Sequence, residues 1–217
     1  MEKNKIFSIN KILLILAIFG VISIFCFDLP IAEFINTGIS DNTKIIWNII
    51  TNTANCVLLI VFFVIARIFY IIIKDKNKKE LYRPILINTF YSLLASIVLN
   101  YTIISLKYIF SRIRPYYFLK HLEYKSMFLF FNNKNLEAFK SFPSGHSTTA
   151  WAFATFVLIT FNLNIKLKTL LILFSFLLSI SRIILNVHYL SDIIFGAIIG
   201  IFVMKNIVQY LNKKKIL

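Results

Sequence analysis

Apolar runs of membrane-spanning length, separated by short charged segments, organise this sequence. Residues 12–27, 84–106 and 147–165 contain no Asp, Glu, Lys or Arg, and residues 56–73 contain only Arg67. Two further runs hold one charge each: 169–187 holds Arg182 and 189–204 holds Asp192, with His188 at the join. A hydrocarbon core of about 30 Å takes roughly 20 residues at about 1.5 Å of rise each. The pattern therefore predicts six transmembrane helices and an all-α class. Residues 28–50 mix Asp28, Glu33, Asp41 and Lys44 with Ile, Phe and Trp47, which predicts an amphipathic stretch along the membrane surface. Lys3, Lys5 and Lys11 precede the first run, but no small-residue cleavage site follows it, so it reads as a retained helix.

Composition strengthens the membrane reading. Hydrophobic residues make up 59% of the 217 and charged residues only 15%, against roughly 45–50% and about 25% in soluble domains. One soluble core could not hide that much apolar surface, so the chain reads as a single polytopic unit over residues 1–217. A net charge of +15 would suggest a nucleic-acid partner in a soluble protein. Here the charges punctuate apolar runs, so they are assigned to orienting the spans, and no nucleic-acid partner is expected. With both termini cytoplasmic, fourteen of the 24 Lys and Arg fall inside and nine outside, with Arg67 in a span, a bias that predicts this orientation. Cys26 and Cys56 lie in apolar runs without metal-ligand spacing and read as small buried apolar residues.

Under that topology three segments deliver polar groups to the outer face: 107–115, 143–146 and 182–192. Ionisable groups are costly at the membrane, and several converging on one face mark a functional site. Lys107 and Arg114 are seven apart, about two helical turns, so both project from one helix face as a cation pair suited to phosphate, and Pro115 then ends the helix. Pro143-Ser144-Gly145-His146 opens a helix: Ser144 can cap it, Gly145 allows close backbone approach, and the free N–H groups favour an anion. His188 and Asp192 are four apart. In a continuous helix the carboxylate would hold the imidazole in one tautomer and leave the other nitrogen free to attack phosphorus. Arg182, six residues earlier, could supply a bidentate phosphate contact. Each segment alone has a plainer reading: snorkelling cations, an ordinary helix cap, a satisfied His–Asp couple.

Together the three segments resemble the signature of the type 2 phosphatidic acid phosphatase family. They read Lys107-x6-Arg114-Pro115, then Pro143-Ser144-Gly145-His146, then Ser181-Arg182-x5-His188-x3-Asp192. Every signature position matches, in the family's order, across residues 107–192. The first half matches only in its apolar helices and amphipathic stretch. The resemblance implies a six-helix membrane bundle with its active site at the outer face, hydrolysing a lipid phosphomonoester or pyrophosphate without a metal or other cofactor. It also implies that His188 attacks phosphorus, oriented by Asp192, that His146 protonates the leaving oxygen, and that water then hydrolyses the phosphohistidine. Lys107, Arg114, Arg182, Ser144 and the Gly145 N–H would stabilise charge on the phosphoryl oxygens.

The short chain with its basic Lys213-Lys214-Lys215 segment resembles the family's bacterial branch. That branch implies a cytoplasmic (inner) membrane, a site facing the periplasm or exterior, and undecaprenyl pyrophosphate, phosphatidylglycerol phosphate or lipid A phosphate as substrate. The alternative of another class is a non-catalytic phospholipid-headgroup binder or transporter on the same fold. A missing histidine or aspartate would favour it, and none is missing. Ser181 has no assigned chemistry and is expected to serve helix packing. His121, beside Lys120 and Glu123, reads as an ordinary loop residue, with a headgroup contact as the alternative, and the aromatic loop 116–141 as an interfacial anchor, with a lid or acyl-chain rest as the alternative.

Overall fold

Inside a bilayer only the chain itself can satisfy backbone N–H and C=O groups, so apolar runs of this length fold as helices. The computed structural model describes residues 2–52, 64–65, 67–68, 71–73, 75–132 and 136–213. Its α-helices include α1 (Glu2–Cys26), α2 (Asp28–Gly38), α3 (Asp41–Asn52), α4 (Lys76–Phe110), α5 (Pro115–Phe118), α6 (Gly145–Thr160), α7 (Ile165–Ile184) and α8 (Leu190–Lys213). Among the described residues there is no strand, only an isolated antiparallel bridge between Arg112 and Phe128.

Among the described residues, four segments are long and apolar enough to cross a membrane: Ile9–Cys26, Thr89–Phe110, Ile165–Ile184 and Leu190–Lys213. These are the expected first, third, fifth and sixth spans. The expected second span, 56–73, lies largely outside the described residues. The expected fourth is α6, whose 16 residues rise about 24 Å. It stops at Thr160, where Phe161 turns extended, and Asn164, accepting a hydrogen bond from Leu167 N at 2.9 Å, caps the start of α7. The 28–50 stretch forms α2 and α3, which pack against the helices that carry the motifs.

The axis of the bundle is α8, which packs along α6 and also touches α1, α4 and α7. Gly196 and Gly200 make the α6 contact backbone to backbone. A Cβ at Gly196 would come within 2.6 Å of the Ser144 carbonyl oxygen, and one at Gly200 would overlap that of Thr148. Small residues four apart allow this approach where helices cannot be driven together by a hydrophobic effect. Hydroxyls add specificity: Ser147 Oγ donates to Ile193 O at 2.7 Å and lies 3.0 Å from Ser179 Oγ, to which Trp151 Nε1 donates at 3.1 Å. Ala95, Leu99, Ala152, Phe156, Met204 and Val208 form the apolar core beneath. On the far side, Lys205 is buried and donates to Asn10 Oδ1, tying α1 to α8.

The outward faces are apolar, with Ile15, Phe25, Leu170 and Leu173 exposed as a lipid-facing surface requires. Cys26 is exposed with them and not buried, because it ends α1 on that outward face.

Candidate active site

The first motif departs from the single helical face expected of it. Helix α4 stops at Phe110, and Ser111 adopts a left-handed φ of 40° after donating its N–H to Lys107 O. The carbonyl groups of Ile109 and Phe110 turn to the loop, accepting from Phe131 N at 2.9 Å and Phe130 N at 3.3 Å. Residues 112–114 then run extended, pinned by Ile113 N to Met127 O, Arg114 N to Ala138 O and Ser141 N to Arg112 O. Pro115 therefore starts α5 and does not end α4. Across this bend the Arg114 charge still lies close enough to act on Lys107.

Ser144 is the N-cap residue of α6, yet its side chain makes no capping bond and its buried hydroxyl has no hydrogen-bond partner. Its backbone N–H instead donates to Asp192 O at 3.1 Å, joining the second motif to the third. The first N–H groups of α6, from Gly145 and His146, have no acceptor within the helix. A Cβ at Gly145 would touch only Ile103, at 3.8 Å. Packing therefore does not require glycine at 145, and an anion approaching the backbone would.

The third motif is broken by a turn where a continuous helix was expected. Asn186 takes a φ of 55°, and the Val187 and His188 N–H groups both donate to Arg182 O at 3.2 Å, so α7 ends and His188 sits in the connection to α8. Asp192 meets it from the first turn of α8, with Oδ2 3.4 Å from His188 Nδ1. The carboxylate is otherwise fully engaged. Oδ2 accepts from Ser141 Oγ at 2.5 Å and Tyr189 N at 2.9 Å, and Oδ1 accepts from Arg112 at 2.5 Å. Arg182, in the last turn of α7, donates to Thr51 of α3 at 3.1 Å and leaves its buried Nε without a partner. Ser181 donates to Leu178 O within its helix, as a packing residue would.

Electrostatically these groups form one site. Arg182, Lys107 and Arg114 all act on His146, and Lys107 and Arg114 also act on His188. At its rim Glu137 lies 3.3 Å from Arg114 and 2.9 Å from Lys140, whose hydrogen bond holds its carboxyl below the usual range. Among the described residues no group of three or more His, Cys, Asp or Glu comes together. His121 stacks on Tyr117 and lies 3.6 Å from Glu123, within the loop.

Burial carries the His188 pKa down to about 3, opposed by Asp192 and assisted by Lys107 and Arg114, so the imidazole is neutral at pH 7. An unfolded chain protonates histidine near pH 6.5. Below that pH the unfolded state gains a proton that the folded state refuses, and stability falls by up to about 1.4 kcal/mol per pH unit until the folded pKa is reached. His188→Gln should therefore lose less stability than wild type between pH 6.5 and 4.5, read as the unfolding midpoint in detergent. Equal slopes would contradict a neutral buried histidine.

Two buried charges were not singled out as site residues: Asp28, in the first turn of α2, and Arg112, in the spacer of the first motif. Both are fully buried and paired at 2.6 Å. A carboxylate directly after an apolar span is costly unless paired, and that was the available signal.

Three likenesses to known proteins bear on this site. The PAP2 superfamily profile matches residues 85–216, which include all three motifs. "Probable lipid phosphate phosphatase 4" of Arabidopsis thaliana is 41% identical over 81 residues, covering 31% of this chain and 26% of that protein. The chain thus spans about a quarter of that relative's length. Among solved structures, Aquifex aeolicus LpxE has a TM-score of 0.60 at 21% identity, covering 86% of this chain and 97% of its own. The first transmembrane PAP2 type phosphatidylglycerolphosphate phosphatase from Bacillus subtilis has a TM-score of 0.62 at 21% identity, covering 93% and 96%. At that identity the two structures speak to the fold.

Proposed function

Because the chain belongs to the PAP2 superfamily, we propose that it is a membrane lipid phosphatase acting through a phosphohistidine on His188. The observation that carries this reading is the convergence of three cations, a helix start and two histidines at one end of the bundle, with His188 backed by Asp192. Lys107, Arg114 and Arg182, with Ser144 Oγ and the Gly145 N–H, hold the phosphoryl oxygens. His188 Nε2 forms a bond to phosphorus as the bond from phosphorus to the lipid oxygen breaks, and His146 gives that oxygen a proton. Water then attacks phosphorus while His146 takes a proton back from that water, the N–P bond breaks, and phosphate leaves. Asp192 keeps Nδ1 protonated throughout, which directs Nε2 toward phosphorus.

The substrate is a lipid phosphomonoester or pyrophosphate: undecaprenyl pyrophosphate, phosphatidylglycerol phosphate or lipid A phosphate. Phosphatidylglycerol phosphate is the lipid for which the Bacillus subtilis neighbour is named. The whole chain acts as one domain of six spans in a bacterial cytoplasmic membrane. Both termini are cytoplasmic and the site faces the periplasm or exterior, in keeping with the Lys and Arg bias.

The test is phosphate release by the purified protein from those three lipids and phosphatidic acid, with His188→Ala alongside. One strongly preferred lipid, lost in the variant, would support the reading. Release from none would favour the headgroup binder or transporter.

The charge carried by the three cations makes the chemistry independent of a metal. Activity should therefore persist in excess EDTA; a loss restored by magnesium would overturn that part of the mechanism. Vanadate, which mimics pentacoordinate phosphorus, should inhibit competitively, and indifference to it would count against a phosphohistidine.

A further inference from the structure

Among the described residues, fully buried charges lie behind the proposed nucleophile and not in the phosphate cradle. Arg112 is completely buried between two carboxylates, 2.6 Å from Asp28 and 2.5 Å from Asp192. The rings of Tyr189 and Phe128 cover it, with centroids 4.1 and 4.6 Å from its guanidinium carbon. Ser191 completes the link: its hydroxyl accepts from Arg112 at 2.7 Å and donates to Asp28 at 2.5 Å, and its N–H donates to Asp28 Oδ1 at 2.9 Å. Asp28 lies far outside the residues that match the family profile, 85–216.

Arg112 poses an electrostatic problem for the His188–Asp192 pair. A guanidinium bonded directly to Asp192 neutralises the carboxylate that must balance the positive charge arising on the imidazole when Nε2 bonds phosphorus. In a dry site that charge is poorly screened. With Asp28 on its other side, Arg112 is already balanced, and the three groups together keep one negative charge facing His188.

We propose that Asp28 is a positioning residue for the hydrolysis: it counters the charge of Arg112 so that Asp192 remains effectively anionic toward His188. The proposal rests on the assignment of His188 as nucleophile. It makes α2, which has no motif, part of the machinery.

The test compares purified wild type, Asp28→Asn, Asp28→Asn/Arg112→Met and His188→Ala. Asp28→Asn keeps the shape and removes the charge. It should lower kcat about ten- to hundredfold, the range seen when the partner behind a metal-ligating histidine is lost. KM and the inhibition constant of inorganic phosphate should stay within about threefold, because the cradle of Lys107, Arg114 and Arg182 is untouched. In the double variant the uncountered cation is gone as well, so kcat should recover at least about threefold over Asp28→Asn.

A purely structural role predicts the opposite, since the double variant loses more contacts and should be slower still. Asp28→Asn at the wild-type rate, or a double variant no faster than Asp28→Asn, overturns the proposal. If Asp28→Asn fails to fold, a folded double variant active within about tenfold of wild type supports it. A folded but inactive double variant, or loss of fold in both, overturns it. Activity retained by His188→Ala would instead sink the nucleophile assignment itself.

Discussion

Alanine in place of His188 is expected to cut phosphate release by more than about a hundredfold while the protein remains folded and membrane-inserted. Removing a covalent nucleophile leaves no second route through the same intermediate, and such losses are among the largest seen in enzymes. The fold should tolerate the change, because Asp192 keeps its bonds to Arg112, Ser141 and the Tyr189 N–H. Phosphate should still bind at Lys107, Arg114 and Arg182. The measurements are initial rates on the preferred lipid, acid-labile phosphoenzyme trapped by rapid quench, and phosphate inhibition. Activity above a hundredth of wild type would sink the assignment, as would phosphoenzyme that persists in the variant.

The second large effect is expected from a methyl group placed outside the polar cluster. In Gly196→Ala the new Cβ would stand 2.6 Å from the Ser144 carbonyl oxygen and 3.1 Å from Ser147 Cβ. The carbonyl cannot yield freely: the same peptide segment donates from Ser144 N to Asp192 O, and Thr148 donates its N–H to Ser144 O. The methyl should therefore push the start of α6, with Ser144, Gly145 and His146, away from α8. Overpacking of this kind costs about 1–3 kcal/mol, and misplacing catalytic groups by about 1 Å can cost about a hundredfold in rate. Gly196→Ala should thus lose at least about tenfold in kcat with a lowered unfolding midpoint. Gly38→Ala, whose Cβ meets only the Phe34 ring at 3.8 Å, should behave as wild type. Equal behaviour of the two would mean that the α6–α8 contact does not set the site.

The candidate site residues were legible in the chain because their chemistry is independent of the path that joins them. Lys107, Arg114, Ser144, Gly145, His146, Arg182, His188 and Asp192 stand out as polar groups beside apolar runs, and the fold brings them to one end of the bundle. The local geometry assigned to them was wrong twice for one reason. Helical periodicity was extended across segments whose ends are set by distant partners: Phe130 and Phe131 end α4, and Asn186 ends α7 with its amide held by Asn36 of α2 at 3.1 Å. No feature within residues 107–114 or 182–192 announces those partners. The aromatic run of the 116–141 loop likewise turns partly inward, where Phe128 stacks against Phe130 and edges onto Phe110 and Phe142.

By itself the sequence determined that this is a helical membrane protein, and it singled out the side chains proposed to hold its chemistry, since both follow from composition, run length and residue type. Which groups stand behind them was decided only in three dimensions. Asp28 and Arg112 are 84 positions apart and Arg112 and Asp192 are 80. Buried charges have to be paired wherever the packing happens to bring a partner. A partner at that separation leaves no period or spacing in the chain, and so the charge behind His188 became visible only when α2, the 111–114 segment and α8 were seen together.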